Sequence, residues 1–375
     1  MSRFDTSGLV VVKVGSSSLR RAGDGRLDRG RLAALADEVA AVRAAGTPVA
    51  VVSSGAVSAG MGVLGLDARP EDLPTLQAAA AVGQGELAHA WQSELSRHGL
   101  SAAQILLNQD DVVHRHRFLT GRTTLQRLLE LGAVPVINEN DAVATEELVY
   151  GNNDQLAAVV ATMLQADLLL LLSDVPGLLS ADPTVDTDAQ LIARIDDYTT
   201  LDLRAVGGSS AGVGSGGMRT KVEAASVAVR AGCHAVIADA RVPGIVPAAV
   251  AGEEVGTWFV AQPRRLEARR LWIGSALRPR GTLSIDQGAV RALRERASSL
   301  LAVGVTGADG DFEAGDLVEV VGPSGTPVAR GLVRLDVADV RRILGRSSAE
   351  AADELGRAAG EVINRDDLVV IDGPR

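Results

Sequence analysis

Of the 37 basic side chains in this sequence of 375 residues, two are lysines, Lys13 and Lys221, and the other 35 are arginines. Both lysines sit among glycines and hydroxyl residues, in VVKVGSSS and GSGGMRTK. An ammonium is a compact point charge on a flexible stem and can follow a phosphoryl group as it moves, whereas a guanidinium imposes a planar, bidentate geometry. A strand running into Gly15, Ser16, Ser17 and Ser18 brings backbone N–H groups close to an anion, with Lys13 able to reach over them. The run from Gly212 to Lys221 opens a helix with glycine-rich backbone, which also suits an anion. Neither segment is the phosphate loop G-x-x-x-x-G-K-S/T, so a nucleotide site built from them belongs to another architecture.

Three more segments carry polar chemistry at strand ends. Between Ser53 and Gly62 six of ten residues are glycine or serine, more than a turn requires. Asn138, Glu139, Asn140 and Asp141 follow a strand at Val134 to Ile137, and Gly151, Asn152, Asn153, Asp154 and Gln155 come soon after. Asn153 or Asp154 alone could be a helix N-cap. Together these residues supply acceptors for an ammonium and donors for a carboxylate, which suits a zwitterionic amino acid. Ser173 and Asp174 end the run LLLLLSD before a Pro-Gly turn and suit contacts to a nucleotide.

Competing patterns are weaker. Gly212, Gly214 and Gly217 satisfy G-x-G-x-x-G, with Asp239 about twenty residues on, but the residues before them read as loop rather than as the hydrophobic strand a dinucleotide site needs. His114 and His116, near Asp110 and Asp111, lie in a charged stretch and read as a solvated face rather than a metal site. No Ser-His-Asp arrangement or G-x-S-x-G elbow supports acyl-enzyme chemistry.

The elements that must position these residues alternate between short apolar runs and amphipathic stretches up to about residue 260, the pattern of β-α units around a parallel sheet. Strands are predicted at Leu9 to Val14, Pro48 to Val52, Ala103 to Leu107, Val134 to Ile137, Leu168 to Leu172 and Ala235 to Ala238. Helices are predicted after the first strand, over Leu76 to Arg97, and near Arg122 to Leu131, Asp154 to Leu164 and Met218 to Ala231. Hydrophobic residues make up 46% and aromatics only 2%, so the core is aliphatic, as suits helices on a buried parallel sheet. The length points to two domains. Residues 1–262 form the larger one, the arginine-rich 263–279 read as a linker, 280–358 as a small β barrel or sandwich, and 359–375 as a C-terminal tail.

A net charge of -10 argues against coating nucleic acid or anionic membrane. Cys233 stands alone in an apolar stretch, which fits a buried thiol in a reducing compartment. The N-terminus has no secretory pattern and no apolar run is long enough to span a bilayer, so a soluble cytoplasmic protein without a membrane partner is expected.

As an ordered set the motifs resemble the amino acid kinase family, in particular its branch that phosphorylates glutamate. The matching segments are VVKVGSSSL, VVSSGAVSAGMGVLG, AAAVGQGEL, RFLTGRTTLQRLLELGAVPVINENDAVA, GNNDQLAAVVA, LLLLLSDVPGLLSADP and GSGGMRTKVEAASVAVRAG, and the tail resembles a PUA domain through GTLSIDQGA, SSLLAVGV, GDFEAGDLVEV and ARGLV. The resemblance implies an α/β three-layer sandwich around a mainly parallel sheet, followed by a small mainly-β PUA barrel. It implies ATP and Mg2+ as cofactors and L-glutamate as the acceptor, phosphorylated on its side-chain carboxylate in the first step of proline biosynthesis. Lys13 and Lys221 look like contacts to the phosphates and the transferring group, and Asp154 like the acid that holds the two lysines. Ser54, Asp141 and Asn153, with Gly55 and Asn138 beside them, look like the amino-acid contacts. Ser173, Asp174, Ser215, Gly216, Gly217, Met218, Arg219, Thr220 and Lys221 look like the ATP contacts. No protein metal ligand is implied, because magnesium binds mainly through phosphates and water. Proline as feedback inhibitor, a homodimer or homotetramer, and glutamyl phosphate reductase as a functional partner are further family expectations. Asn152 departs from the Asp common at that position. RNA binding by the tail is the rival reading, weakened by 14 arginines against 11 acids from Arg264 to Glu350.

Overall fold

A computed structural model of the chain describes residues 8–371 apart from 22, 109–110, 112–114, 144–152, 182–185, 187, 202–216, 263–278, 297 and 358. The chain divides into two compact units, Met1–Arg265 and Leu266–Arg375. The expected linker lies almost wholly outside the described residues.

The first unit is built on an eight-stranded sheet. Its strands are β1 (Val10–Val14), β2 (Val49–Ser53), β3 (Ala102–Leu107), β4 (Val134–Glu139), β5 (Leu168–Ser173), β6 (Arg194–Ile195), β7 (His234–Asp239) and β8 (Thr257–Phe259), in the order β3-β4-β2-β1-β5-β7-β8-β6. Every pairing from β3 across to β7 is parallel, and β8 runs antiparallel to β7. The inner strands are buried on both faces, which is why they read as continuous Val and Leu runs rather than as alternating ones.

On one face Val10, Val12 and Val14 join Val49, Val51, Leu168, Leu170 and Leu172 in a core shared with α1 (Arg29–Ala44) and α3 (Leu73–Ser96). The opposite parity sends Lys13 to the other face, where α5 (Asn153–Leu164) and α6 (Met218–Arg230) pack. Helix boundaries follow local chemistry. The Asp28 side chain accepts from the Arg31 N–H at the start of α1, and Asp72 accepts from the Thr75 N–H at the start of α3.

Two local expectations are corrected by tertiary packing. Ala56–Leu64, read as a loose glycine and serine stretch, forms α2, and α4 spans Arg115–Glu130 rather than starting near Arg122. Helix α2 exists because its glycines let it lie against α3. A Cβ on Gly60 would come within 1.8 Å of the Ala79 carbonyl oxygen, and one on Gly83 within 1.8 Å of the Ala56 carbonyl oxygen.

The second unit holds a six-stranded mixed sheet in the order β10-β14-β13-β12-β9-β11, formed by β9 (Gly281–Ile285), β10 (Leu300–Leu301), β11 (Val305–Gly310), β12 (Leu317–Val321), β13 (Pro327–Val333) and β14 (Glu361–Val370). Its core includes Leu283, Phe312, Val318, Val320, Ile343 and Ile363. Within the stretch read as a C-terminal tail, Glu361–Val370 thus form an inner strand of this sheet, paired with both β10 and β13. The polar run Asn364-Arg365-Asp366-Asp367 interrupts the apolar pattern of β14, and Val362, Ile363 and Leu368 on either side of it are buried.

Candidate active site

The C-terminal ends of the parallel strands bring the sequence-predicted residues together in two adjoining groups. The first is ionic. Asp154, fully buried in the first turn of α5, pairs through Oδ1 with Lys13 Nζ and through Oδ2 with Lys221 Nζ at 3.2 Å. Thr220 Oγ1 donates to the same Oδ2 at 3.2 Å. Burial alone would raise the Asp154 carboxyl, but the charges of Lys13 and Lys221 and their hydrogen bonds outweigh it, so its pKa lies below the usual carboxylate value. Burial lowers the Lys13 ammonium below its ordinary value, the Asp154 charge opposes this, and the neighbouring Lys221 adds to the lowering. Two ammonium groups around one carboxylate leave an excess of positive charge, as an incoming phosphate needs.

The second group is a chain of neutral side chains. Asn153 Nδ2 donates to Ser54 Oγ at 2.7 Å and to Asn138 Oδ1 at 2.9 Å, and Asn138 Nδ2 donates to Gln84 Oε1 at 2.7 Å. The Asn153 Oδ1 atom is buried and has no hydrogen-bond partner among the described residues, which leaves an acceptor for a ligand N–H. Asn153 and Asp154 are consecutive, so the start of α5 joins the two groups. Gly55 caps α2 at φ 115°, a left-handed conformation that L side chains rarely adopt, and so allows the turn that carries Ser54 into the site. Behind it the Trp91 indole N–H donates to Ser53 Oγ at 2.9 Å, and Ser53 Oγ donates to the Ser54 carbonyl at 3.0 Å.

A cavity of about 300 Å3 adjoins the neutral chain, and Gln84, Gln104, Glu139, Asn140 and Asp141 are among the residues that line it. Burial pushes the Asp141 carboxyl up to about 6, against the pull of Arg69. A larger hollow of about 450 Å3 is lined by Arg21, Arg26 and Arg29 and shares no lining residue with this cavity; Asp24 pairs with Arg21 and Glu86 with Arg29.

At the end of β5 Ser173 is buried and donates to Asp174 Oδ1 at 3.3 Å, while Asp174 is exposed. Its carbonyl accepts from Arg241, which also pairs with Asp239. Gly217, Met218 and Thr220 are partly buried at the start of α6, whereas Arg219 is exposed and pairs with Glu223. Ser215, Gly216 and Asn152 lie outside the described residues, as do Gly212, Gly214 and His114. His116 is exposed. Sequence reasoning assigned no role to Gln84 or Trp91, although Gln84 stands within AAAVGQGEL. The signal for it was a polar side chain following Gly83, the glycine that lets α3 approach α2.

The profile described as the amino acid kinase family matches residues 8–239, and the PUA domain profile matches residues 281–355. The chain belongs to the amino acid kinase family, and it is a phosphotransferase. Within that family it is similar to curated glutamate 5-kinases: 47% identical to that of Trichlorobacter lovleyi over 96% of both chains, and 50% identical to that of Nitrobacter winogradskyi over 96% of this chain and 95% of the other. The glutamate 5-kinase of Pseudomonas putida is 46% identical over 96% of this chain and 97% of its own. Among the described residues no helix is long and apolar enough to cross a membrane.

Proposed function

We propose that the chain transfers the terminal phosphoryl group of ATP to the side-chain carboxylate of L-glutamate, giving L-glutamyl 5-phosphate and ADP. The observation that carries this reading is the junction at Asn153 and Asp154, where a doubly lysine-paired carboxylate adjoins a neutral amide chain. A glutamate side chain has an ordinary pKa of about 4.3 and is ionised at neutral pH, so its oxygen can attack phosphorus without a general base. The new bond joins that carboxylate oxygen to the γ-phosphorus, and the bond from the γ-phosphorus to the bridging oxygen breaks, leaving its electron pair on ADP. Catalysis then consists of alignment and of neutralising charge on the moving group.

In this reading Lys13 and Lys221 follow the phosphoryl group and Asp154 holds both ammonium groups in place. Ser54, Gly55, Asn138, Asp141 and Asn153 hold the amino acid, while Ser173, Asp174 and residues 215–221 hold ATP. A donor set of two ammonium groups and one carboxylate already paired to them suits a magnesium ion carried by the phosphates and water. Such an ion supplies charge neutralisation along the phosphate chain.

Glutamyl phosphate is a reactive acyl phosphate, and the first step of proline biosynthesis is the assignment in keeping with the family. Proline also carries an ammonium, a secondary one, beside an α-carboxylate, which supports feedback inhibition at the amino-acid cavity. Residues 1–262 are the catalytic domain and the second unit, with β14 included, is the PUA domain. The test is ADP release with glutamate, aspartate, N-acetylglutamate and carbamate in parallel. Turnover with glutamate above the other three is expected, and its absence sinks the assignment.

A further inference from the structure

We propose that Gln84 is a specificity residue of the amino-acid site, donating from its amide nitrogen to the carboxylate of the substrate that does not react. This rests on glutamate being the acceptor. The Gln84 Oε1 end is committed, since it accepts from Asn138 Nδ2 at 2.7 Å. That bond sets the orientation of the amide, so the Nε2 end must serve something else, and it makes no hydrogen bond to a described protein acceptor.

Gln84 also lines the cavity that holds Asp141 and Glu139, and no lysine or arginine is among its described lining residues. A zwitterion placed there finds carboxylates for its ammonium but, among the described lining residues, no cation for its carboxylate, since Arg69 acts on Asp141 from outside the lining. That carboxylate must therefore take neutral N–H donors, which among the lining side chains are Gln84, Gln104 and Asn140. Of these three, Gln84 is the one bonded into the chain that runs through Asn138 and Asn153 to Ser54.

The position along the chain selects which carboxylate it meets. Asn153 is next to Asp154 and the two lysines, where the reacting carboxylate must lie, and Gln84 stands at the opposite end of the chain. Gln84 thus serves the α-carboxylate. Gly83 sets the approach, because any side chain there would strike the Ala56 carbonyl and push α3, with Gln84 on it, away from α2.

Gln84→Glu separates the two ends of the side chain. A glutamate at this position still accepts from Asn138 but replaces the donor with a charge that repels a carboxylate. In steady-state ADP release, Gln84→Glu is expected to raise KM for glutamate about tenfold or more, the loss of one hydrogen bond to a charged group. KM for ATP and the melting temperature are expected to stay at the wild-type values. The α-amide of glutamate, which keeps the reacting carboxylate and can donate to the new side chain, should lose less, so its kcat/KM relative to glutamate should rise. Gln84→Leu should raise KM for glutamate as well, without that change in preference.

Wild-type turnover of glutamate with an unchanged KM in both variants overturns the role of Gln84 alone. An equal loss toward glutamate and its α-amide in Gln84→Glu also overturns it, because a merely structural role predicts that result. No turnover of glutamate by the wild type removes the substrate assignment, and this inference with it.

Discussion

At Asp154 a single buried carboxylate pairs with two buried ammonium groups, and its removal leaves two like charges facing each other out of water. Asp154→Asn is expected to lower kcat by about 100-fold or more, the scale for losing one preorganised electrostatic group, and to lower the melting temperature. Steady-state ADP release and thermal unfolding check both effects. Lys13→Arg tests the need for a compact charge. Lys13 is buried and paired with Asp154, which leaves little room for the wider guanidinium. A fall in kcat at unchanged KM for glutamate is expected, and near-normal turnover would mean that any cation suffices.

Asp141 brings pH dependence at the same scale. Its carboxyl is raised to about 6, so its ionised form, the one that attracts an ammonium, is lost as pH falls through that value. KM for glutamate should therefore rise below about pH 6, and the effect should disappear in Asp141→Asn, measured as a pH profile of kcat/KM. The sign for stability is opposite. A carboxyl raised from 3.8 favours folding when protonated, so its contribution is full at low pH and is lost as pH rises through about 6.

At the scale of elements, the crossing of α2 and α3 holds the amino-acid side of the site together. Gly60 and Gly83 are the contact, and Ser54 and Gln84 are carried on either side of it. Gly83→Ala cannot be relieved by a rotamer change, because the clash is with backbone. It should destabilise the protein by about 1 to 3 kcal/mol, the usual cost of overpacking, and raise KM for glutamate more than KM for ATP. Denaturant unfolding and kinetics on one preparation read both. The segment illustrates where sequence reasoning stops. Helix propensity disfavours a stretch with glycines at 55, 60 and 62, and only the facing surface of α3 turns those glycines into a packing device.

At the scale of the whole molecule, the second unit depends on its last strand. Residues 359–371 supply β14 between β10 and β13, so a chain ending at residue 358 loses an inner strand and the burial of Val362, Ile363 and Leu368. That truncation should make the second unit sensitive to protease, whereas removal of everything after residue 262 should leave the first unit resistant. Limited proteolysis with mass spectrometry distinguishes the two. The PUA resemblance also makes RNA binding testable, and salt-sensitive binding by the intact chain would give the second unit a role beyond the phosphotransfer site.

Much of the architecture was legible from local pattern. The Val and Leu runs of β1, β2 and β5, followed by glycine and hydroxyl residues, announce a buried parallel sheet with a ligand crevice at its strand ends. Two lysines among 35 arginines single out the pair proposed to meet the phosphates. Local pattern could not show that Lys13 and Lys221, more than two hundred residues apart, share one carboxylate. That depends on the parity of Lys13 in β1 and on α5 and α6 packing against the same face of the sheet. Nor could it show Gln84 joined to Asn138, or Glu361–Val370 as an inner strand, because a hydrogen-bond partner 54 residues away and a strand's neighbours are properties of packing. Side-chain type and strand periodicity are local and survive in the sequence, whereas the meeting of two such sites is decided by how the layers close.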